Sequence, residues 1–128
     1  MPVLSAQDLS FWEENGYVVV PKAVPQENLD ALIDAIWEFL DMDRDDPETW
    51  YRHKPYSGDD RCSPISAAGM VEIYQHQALW DNRQYPRVHA AFSEIWNRED
   101  LWVSLDRANM KPPAREDRPE WCSRGMIH

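Results

Sequence analysis

Four histidines, two cysteines and one short polar patch are the parts of this 128-residue sequence whose residue types could do chemistry. The histidines, at positions 53, 76, 89 and 128, are not spaced in a way that would gather metal ligands. Taken singly, each is best interpreted as a surface or hydrogen-bonded structural residue. Cys62 and Cys122 form no Cys-x-x-Cys pair, so the sequence gives little support for a zinc or redox site. The sequence also contains no glycine-rich phosphate loop and no nucleophile elbow.

The polar patch lies at the end of a predicted strand that covers residues 101–110. Apolar and polar residues alternate there with a period of two, which sends successive side chains to opposite faces of a strand. Arg107 and Asn109 fall on the same face as the apolar residues Leu101, Val103 and Leu105. The apolar row therefore turns polar toward its end. This pattern predicts either the floor of a site or a strand that runs out into solvent at residues 111–113.

Capping signals and apolar spacing predict four helices that would position this strand. Ser5 caps the first helix and Gly16 ends it in a left-handed conformation. The second helix begins near Pro25 and carries an apolar stripe that should lie on a sheet, with its acidic side toward water. The third covers residues 77–83, and the fourth runs from residue 86 to residue 96.

Three further segments complete the chain. Residues 17–20 are β-branched and aromatic, which predicts a buried strand, and residues 70–74 suit either a strand or the lead-in to a helix. Residues 41–64 are rich in charges and turn formers and predict a long acidic loop, either a solvated insertion or a functional lid. Residues 111–124 predict a second loop. The chain length fits a single domain or a domain fragment over residues 1–128.

The charge of the chain restricts its partners. The formal net charge is −10, and residues 1–64 carry 14 acidic against 5 basic side chains. Such an acidic surface repels phosphate groups, so we expect neither nucleic acid nor an anionic membrane as a partner. The absence of a secretory segment or a long apolar run predicts a cytoplasmic protein with reduced cysteines.

The whole-chain pattern resembles the phytanoyl-CoA dioxygenase family. The resemblance rests on the opening run Phe-Trp-Glu-Glu-Asn-Gly-Tyr-Val-Val-Val-Pro at residues 11–21, an amphipathic helix, and Leu-Trp-Asp-Asn-Arg at residues 79–83. It continues through Leu-Trp-Val-Ser-Leu-Asp-Arg at residues 101–107 to Gly-Met-Ile-His at residues 125–128. Only the N-terminal half of a family member is matched. Members are iron(II)- and 2-oxoglutarate-dependent oxygenases, so the resemblance implies an α+β fold in which helices flank an incomplete sheet, the N-terminal part of a double-stranded β-helix (jelly roll).

The resemblance also implies roles for three residues. His128 stands where the first iron ligand of the family's His-x-Asp pair would be, but the Asp and the distal His are absent. Asn109 is expected to contact 2-oxoglutarate, and Arg107 is a weaker candidate, equally explained by an ion pair with a loop acid. The cofactors implied for a complete member are iron(II) and 2-oxoglutarate, with none expected on this chain, and no catalytic residue is assigned. A small-molecule substrate is expected only for the complete protein.

Two other hypotheses stay open. The chain is alternatively a complete, non-catalytic α/β module that acts through protein contacts, or a small enzyme that uses local acids with His76 or His89. An incomplete sheet leaves unpaired strand edges, which predicts a homo-oligomer whether the chain is an oxygenase fragment or a complete module.

Overall fold

The computed structural model describes residues 1–59 and 61–122. In these ranges the chain forms four α-helices: α1 (Ala6–Asn15), α2 (Gln26–Phe39), α3 (Gln77–Arg83) and α4 (Pro86–Trp96). Two short 3₁₀ helices cover Pro47–Tyr51 and Pro119–Trp121. No helix of this part of the chain is long and apolar enough to cross a bilayer.

The chain divides into two compact units. Unit 1 contains Met1–Ala31 and Gln77–Ser104, and unit 2 contains Leu32–His76 and the chain from Leu105 onwards. The buried apolar residues of unit 1 are Leu4, Ala78, Leu79 and Ala91. Those of unit 2 are more numerous and larger, with four side chains of the unit completely enclosed: Leu40, Ile65, Val71 and Trp121.

The ends of the predicted helices agree with the structure because local chemistry sets them. The Ser5 hydroxyl accepts a hydrogen bond from the amide of Asp8, and the Asp8 carboxylate accepts one from the amide of Ser5, which forms a capping box. Gly16 follows α1 at φ 76°, a left-handed angle that glycine adopts without a steric cost. Asn97 ends α4 in the same left-handed region.

The predicted fold class is wrong for the part of the chain that the structure describes. Residues 1–59 and 61–122 contain no β-strand and no sheet, so helices flanking an incomplete sheet, as the start of a double-stranded β-helix, are not found. The apolar stripe of α2 consequently has no sheet to cover, and Leu29 and Ile33 remain exposed. The acidic side chains of α2 do face solvent, as predicted.

Neither predicted strand forms. Residues 17–20 and residues 101–108 have no regular secondary structure, and the apolar side chains of Val19, Val103 and Leu105 are exposed. A period of two makes a segment suitable for a strand, but a strand also needs a partner for its backbone groups. The described residues offer such partners only as single bridges, including the antiparallel bridges of Met70 with Asn109 and of Ile65 with Val71.

The two predicted loops contain much of the core of unit 2. Residues 41–64 include the first 3₁₀ helix and four buried side chains: Met42, Tyr51, Pro55 and Tyr56. In residues 111–122 the second 3₁₀ helix places Trp121 fully inside the unit. The Tyr51 hydroxyl donates a hydrogen bond to the carbonyl of Pro113 at 2.7 Å, which ties the two segments together.

Candidate functional site

Unit 2 encloses a charged cluster that we call the Glu72 cluster, formed by Glu72, Arg107, Tyr56 and Tyr74. Arg107 Nη1 donates to Glu72 Oε1 at 2.9 Å and to the Tyr56 hydroxyl at 3.3 Å. The Tyr56 hydroxyl donates to Glu72 Oε1, and the Tyr74 hydroxyl donates to Glu72 Oε2. The side chains of Glu72 and Arg107 are 15% and 19% exposed, so the ion pair is largely shielded from water.

This geometry keeps the Glu72 carboxylate ionised. Burial by itself raises the pKa of Glu72, but the hydrogen bonds from Tyr56, Tyr74 and Arg107 outweigh it, and the pKa is lowered to about 2. Burial and the hydrogen bond to Glu72 raise the pKa of Tyr56, and the hydrogen bond to Glu72 is the main cause of a raised pKa of Tyr74. A carboxylate with so low a pKa is poorly suited to general acid or base catalysis near neutral pH. We therefore interpret the Glu72 cluster as structural: it holds separate segments of unit 2 together.

The Glu72 cluster holds residues 107–110 against the segment around residue 70. Val71 donates its amide hydrogen bond to the Ala108 carbonyl at 3.0 Å, and Met110 donates to the Gly69 carbonyl at 2.8 Å. The antiparallel bridge between Met70 and Asn109 lies between these bonds. Pairing thus covers only a few residues at the end of the segment that was predicted to be a strand.

Asn109 and Arg107, the two predicted 2-oxoglutarate residues, are held on this same segment. The Asn109 side-chain amide is exposed and donates one hydrogen bond, to the Ala68 carbonyl at 3.2 Å. The alternative explanation for Arg107 was an ion pair with an acid of the loop. Arg107 does form an ion pair, but its partner Glu72 lies outside residues 41–64. The structure places both residues together on residues 68–72, and their role toward a cosubstrate stays a prediction.

The histidines do not converge in the described part of the chain. His53 Nε2 lies 2.6 Å from the Leu40 carbonyl in unit 2, and His89 Nε2 lies 3.0 Å from the Glu99 carbonyl in unit 1. These contacts are structural, as their sequence context predicted. His76 is exposed, and His128, the predicted iron ligand, lies outside the described residues.

Glu72, Tyr56 and Tyr74 were not identified from the sequence. Glu72 and Tyr74 are two residues apart, a spacing that favours a common face in extended backbone, and that was the one local signal available. Tyr56 and Arg107 lie 16 and 35 residues from Glu72, and no local pattern predicts contacts across such separations.

Comparison with known proteins identifies relatives of this chain. It is 27% identical over 92% of its length to a Dictyostelium discoideum protein named "Putative phytanoyl-CoA dioxygenase". It is 25% identical over 83% of its length to "Ava biosynthesis cluster protein O" of Aspergillus versicolor. No family model and no solved structure matches the chain.

The chain spans about a third of the length of these two curated relatives, 34% in each case. This share agrees with the prediction that the sequence corresponds to a portion of a longer family member. The resemblance read from the sequence is thus confirmed, because this chain is similar to a longer protein named "Putative phytanoyl-CoA dioxygenase".

Proposed function

We propose that this chain is the N-terminal portion of an iron(II)- and 2-oxoglutarate-dependent oxygenase related to phytanoyl-CoA dioxygenase. The observation that carries the proposal is the match of 92% of the chain to a relative about three times as long. In the complete protein, decarboxylation of 2-oxoglutarate would be coupled to hydroxylation of a small organic substrate. We expect the chain by itself to be inactive.

The described residues do not fit an iron site by themselves. Iron sites of this class use two imidazoles and one carboxylate. Within residues 1–59 and 61–122, no group of three His, Cys, Asp or Glu side chains lies close enough to hold a metal ion. His128 is still proposed as the first ligand, with the other two supplied by a longer polypeptide. No catalytic step is assigned to the residues described here.

The two residues proposed for 2-oxoglutarate, Arg107 and Asn109, do have hydrogen-bond donors that suit a carboxylate. Arg107 Nη2 makes no hydrogen bond to any described residue, and Asn109 Nδ2 uses only one of its two hydrogens. Both groups are donors of the kind that bind carboxylates. Because Glu72 already neutralises Arg107, we expect Asn109 to contribute the more selective contact.

A titration of the isotopically labelled chain with 2-oxoglutarate tests this assignment. We expect weak binding that shifts the side-chain amide resonances of Asn109 and the backbone resonances of its neighbours. In Asn109→Ala, the neighbouring resonances should no longer shift when 2-oxoglutarate is added. The matched control is Gln7→Ala, which removes an exposed amide from α1. Equal shifts in wild type and in Asn109→Ala would refute the role of Asn109, while leaving the family relationship intact.

The coding sequence beyond codon 128 tests the proposal as a whole. We expect an Asp two residues after His128 and a further His downstream, which together would complete the iron site. Any other continuation, or a stop codon at that point in the natural gene, would contradict the assignment to an oxygenase. Iron titration of this chain alone is expected to show no tight stoichiometric binding, because one imidazole is a weak site.

A second candidate function is a non-catalytic module that acts through protein contacts. One observation favours it, namely the large apolar side chains that unit 1 leaves exposed on and after α4. Such surfaces on folded proteins commonly mark interaction sites.

A further inference from the structure

The last residue of α1, Asn15, is followed directly by Gly16. The chain has five asparagines, and the other four precede Leu29, Arg83, Arg98 and Met110. The side-chain amide of an asparagine can react with the backbone nitrogen of the next residue, and a side chain on that residue shields the nitrogen. Glycine has no side chain and a permissive backbone. Asn15 is therefore the asparagine of this chain that its neighbour can attack most readily.

The folded structure holds both reacting groups in hydrogen bonds. The Gly16 amide, which becomes the nucleophile when it loses its proton, donates to the Trp12 carbonyl at 2.8 Å. The Asn15 side-chain amide donates to the Phe11 carbonyl at 3.0 Å. A hydrogen-bonded amide is protected from base for the same reason that it is protected from hydrogen exchange. While the last turn of α1 stays closed, the reaction should therefore be slow.

A ring contact also holds the chain that leaves α1. Phe11 and Tyr17 pack edge to face, with ring centroids 5.1 Å apart. Such an apolar contact commonly accompanies a left-handed glycine at the end of a helix, and Gly16 has φ 76°. Both rings are exposed, however, and no side chain of α1 is buried. Opening the last turn thus breaks only local contacts and leaves the buried residues of unit 1 in place.

We propose that Asn15 is a deamidation site whose rate is controlled by opening of the last turn of α1. When the turn opens, the deprotonated Gly16 nitrogen attacks the side-chain carbon Cγ of Asn15. The new bond joins that nitrogen to Cγ, the bond from Cγ to Nδ2 breaks, and Nδ2 takes up a proton and leaves as ammonia. Water then hydrolyses the cyclic imide to aspartate or isoaspartate. No atom changes oxidation state, and water is the one co-reactant.

The product should weaken the helix end that protected Asn15. A carboxylate at residue 15 cannot donate a hydrogen bond to the Phe11 carbonyl, and it adds negative charge where the helix dipole favours positive charge. The last turn of α1 contains no basic residue that could compensate. Isoaspartate also lengthens the backbone by one carbon, which disturbs the turn further. This inference does not depend on the oxygenase assignment, because it uses the geometry of α1 alone.

Peptide mapping by mass spectrometry tests the proposal on the whole chain, incubated either folded or in guanidinium chloride. We expect a mass gain of about one dalton at Asn15, at least tenfold slower in the folded protein than in the denatured one. An isoaspartate-specific carboxyl methyltransferase should label the same peptide. The other four asparagines are internal controls and should remain unmodified over the same time. Equal rates in the folded and denatured chain, or no conversion of Asn15 in guanidinium chloride, would overturn the proposal.

Tyr17→Ala separates the opening of the turn from the chemical step. Loss of the ring contact should raise the rate at Asn15 in the folded protein by about fivefold and leave the rate in guanidinium chloride unchanged. The matched control is Val19→Ala, which shortens an exposed apolar side chain just beyond the turn and should alter neither rate. If the folded Tyr17→Ala and Val19→Ala proteins react equally fast, the turn does not control the reaction and the proposal fails.

Hydrogen exchange of the Gly16 amide supplies a measurement that needs no variant. Exchange and deamidation both require the hydrogen bond from Gly16 to Trp12 to open. The protection factor of this amide should therefore match the ratio of the denatured to the folded deamidation rate within about threefold. A ratio far below the protection factor would show that Asn15 reacts in the closed turn, which contradicts the proposed control.

Discussion

Arg107 donates a hydrogen bond of 2.9 Å to the carboxylate of Glu72, although 35 residues separate them in the chain. Two tyrosine hydroxyls occupy other lone pairs of the same carboxylate, so its charge is neutralised and its hydrogen bonds are made inside unit 2. This pair connects the segment around residue 70 to the segment that carries Asn109.

Removal of the Glu72 charge should destabilise the protein. Glu72→Gln keeps the shape of the side chain but leaves the mostly shielded Arg107 guanidinium with only the exposed carboxylate of Asp106, 3.9 Å from its Nε, as a counter-ion. We expect a loss of about 2 kcal/mol, between the values for an exposed and a fully buried ion pair. Urea unfolding measures it. Glu116→Gln, at an exposed position with no ion pair to any other described residue, should change stability by less than about 0.5 kcal/mol.

The same pair predicts how stability changes in acid. Folding lowers the pKa of Glu72 from 4.5 to about 2, so the folded state favours the ionised carboxylate. The resulting stability is present above pH 4.5 and is lost as the pH falls toward 2. The urea midpoints of wild type and Glu72→Gln should therefore converge between pH 5 and pH 2. Parallel curves would contradict this linkage, since the other carboxylates are common to both proteins.

Gly69 should tolerate no side chain. Its φ is 90°, and an added Cβ would lie 2.9 Å from the Met110 carbonyl oxygen and 3.0 Å from Asn109 Oδ1. Gly58 also has a positive φ, but its Cβ would meet no atom within 4 Å. Gly69→Ala should thus destabilise the protein more than Gly58→Ala, by about 1–3 kcal/mol of overpacking. Equal urea midpoints for the two variants would show that residues 109–111 do not pack against Gly69.

Glu94 should hold the N-terminal segment on unit 1. Its two carboxylate oxygens accept hydrogen bonds of 2.7 Å from the amides of Val3 and Leu4, and these bonds lower the pKa of Glu94. In Glu94→Ala we expect the hydrogen exchange of both amides to accelerate by roughly tenfold, because their acceptor is lost. Glu99→Gln, in which the exposed carboxylate has no such role, is the control. Unchanged protection in Glu94→Ala would rule out this contact in solution.

The helices could be predicted because their ends depend on neighbouring residues. Ser5 and Asp8 lie within one turn of each other, and the conformation of Gly16 is a property of that residue itself. The predicted spans of α3 and α4 are confirmed for a similar reason, since Pro86 disfavours helical angles at Tyr85 and suits the first position of α4. No distant part of the chain is needed for these choices.

Whether residues 101–110 form a strand could not be predicted from neighbouring residues. Its alternation is present in the sequence, but within residues 1–59 and 61–122 the bridge partners reach only residues 108–110, and Trp102 is left in solvent. A similar limit applies to the candidate site, where Arg107 and Asn109 were found by resemblance but Glu72 was not. Ion pairs and bridges form between segments that only the packing of unit 2 brings together.

The sequence by itself therefore determined the helix boundaries, the acidic solvent-facing side of α2 and the resemblance to a longer protein named as a putative phytanoyl-CoA dioxygenase. Tertiary structure decided which apolar residues are buried, that residues 101–107 pair with no strand of the described chain, and that Glu72 neutralises Arg107. The reason is the range of the interactions. A helix completes its hydrogen bonds within four residues, whereas a strand or an ion pair needs a partner whose position depends on the whole fold.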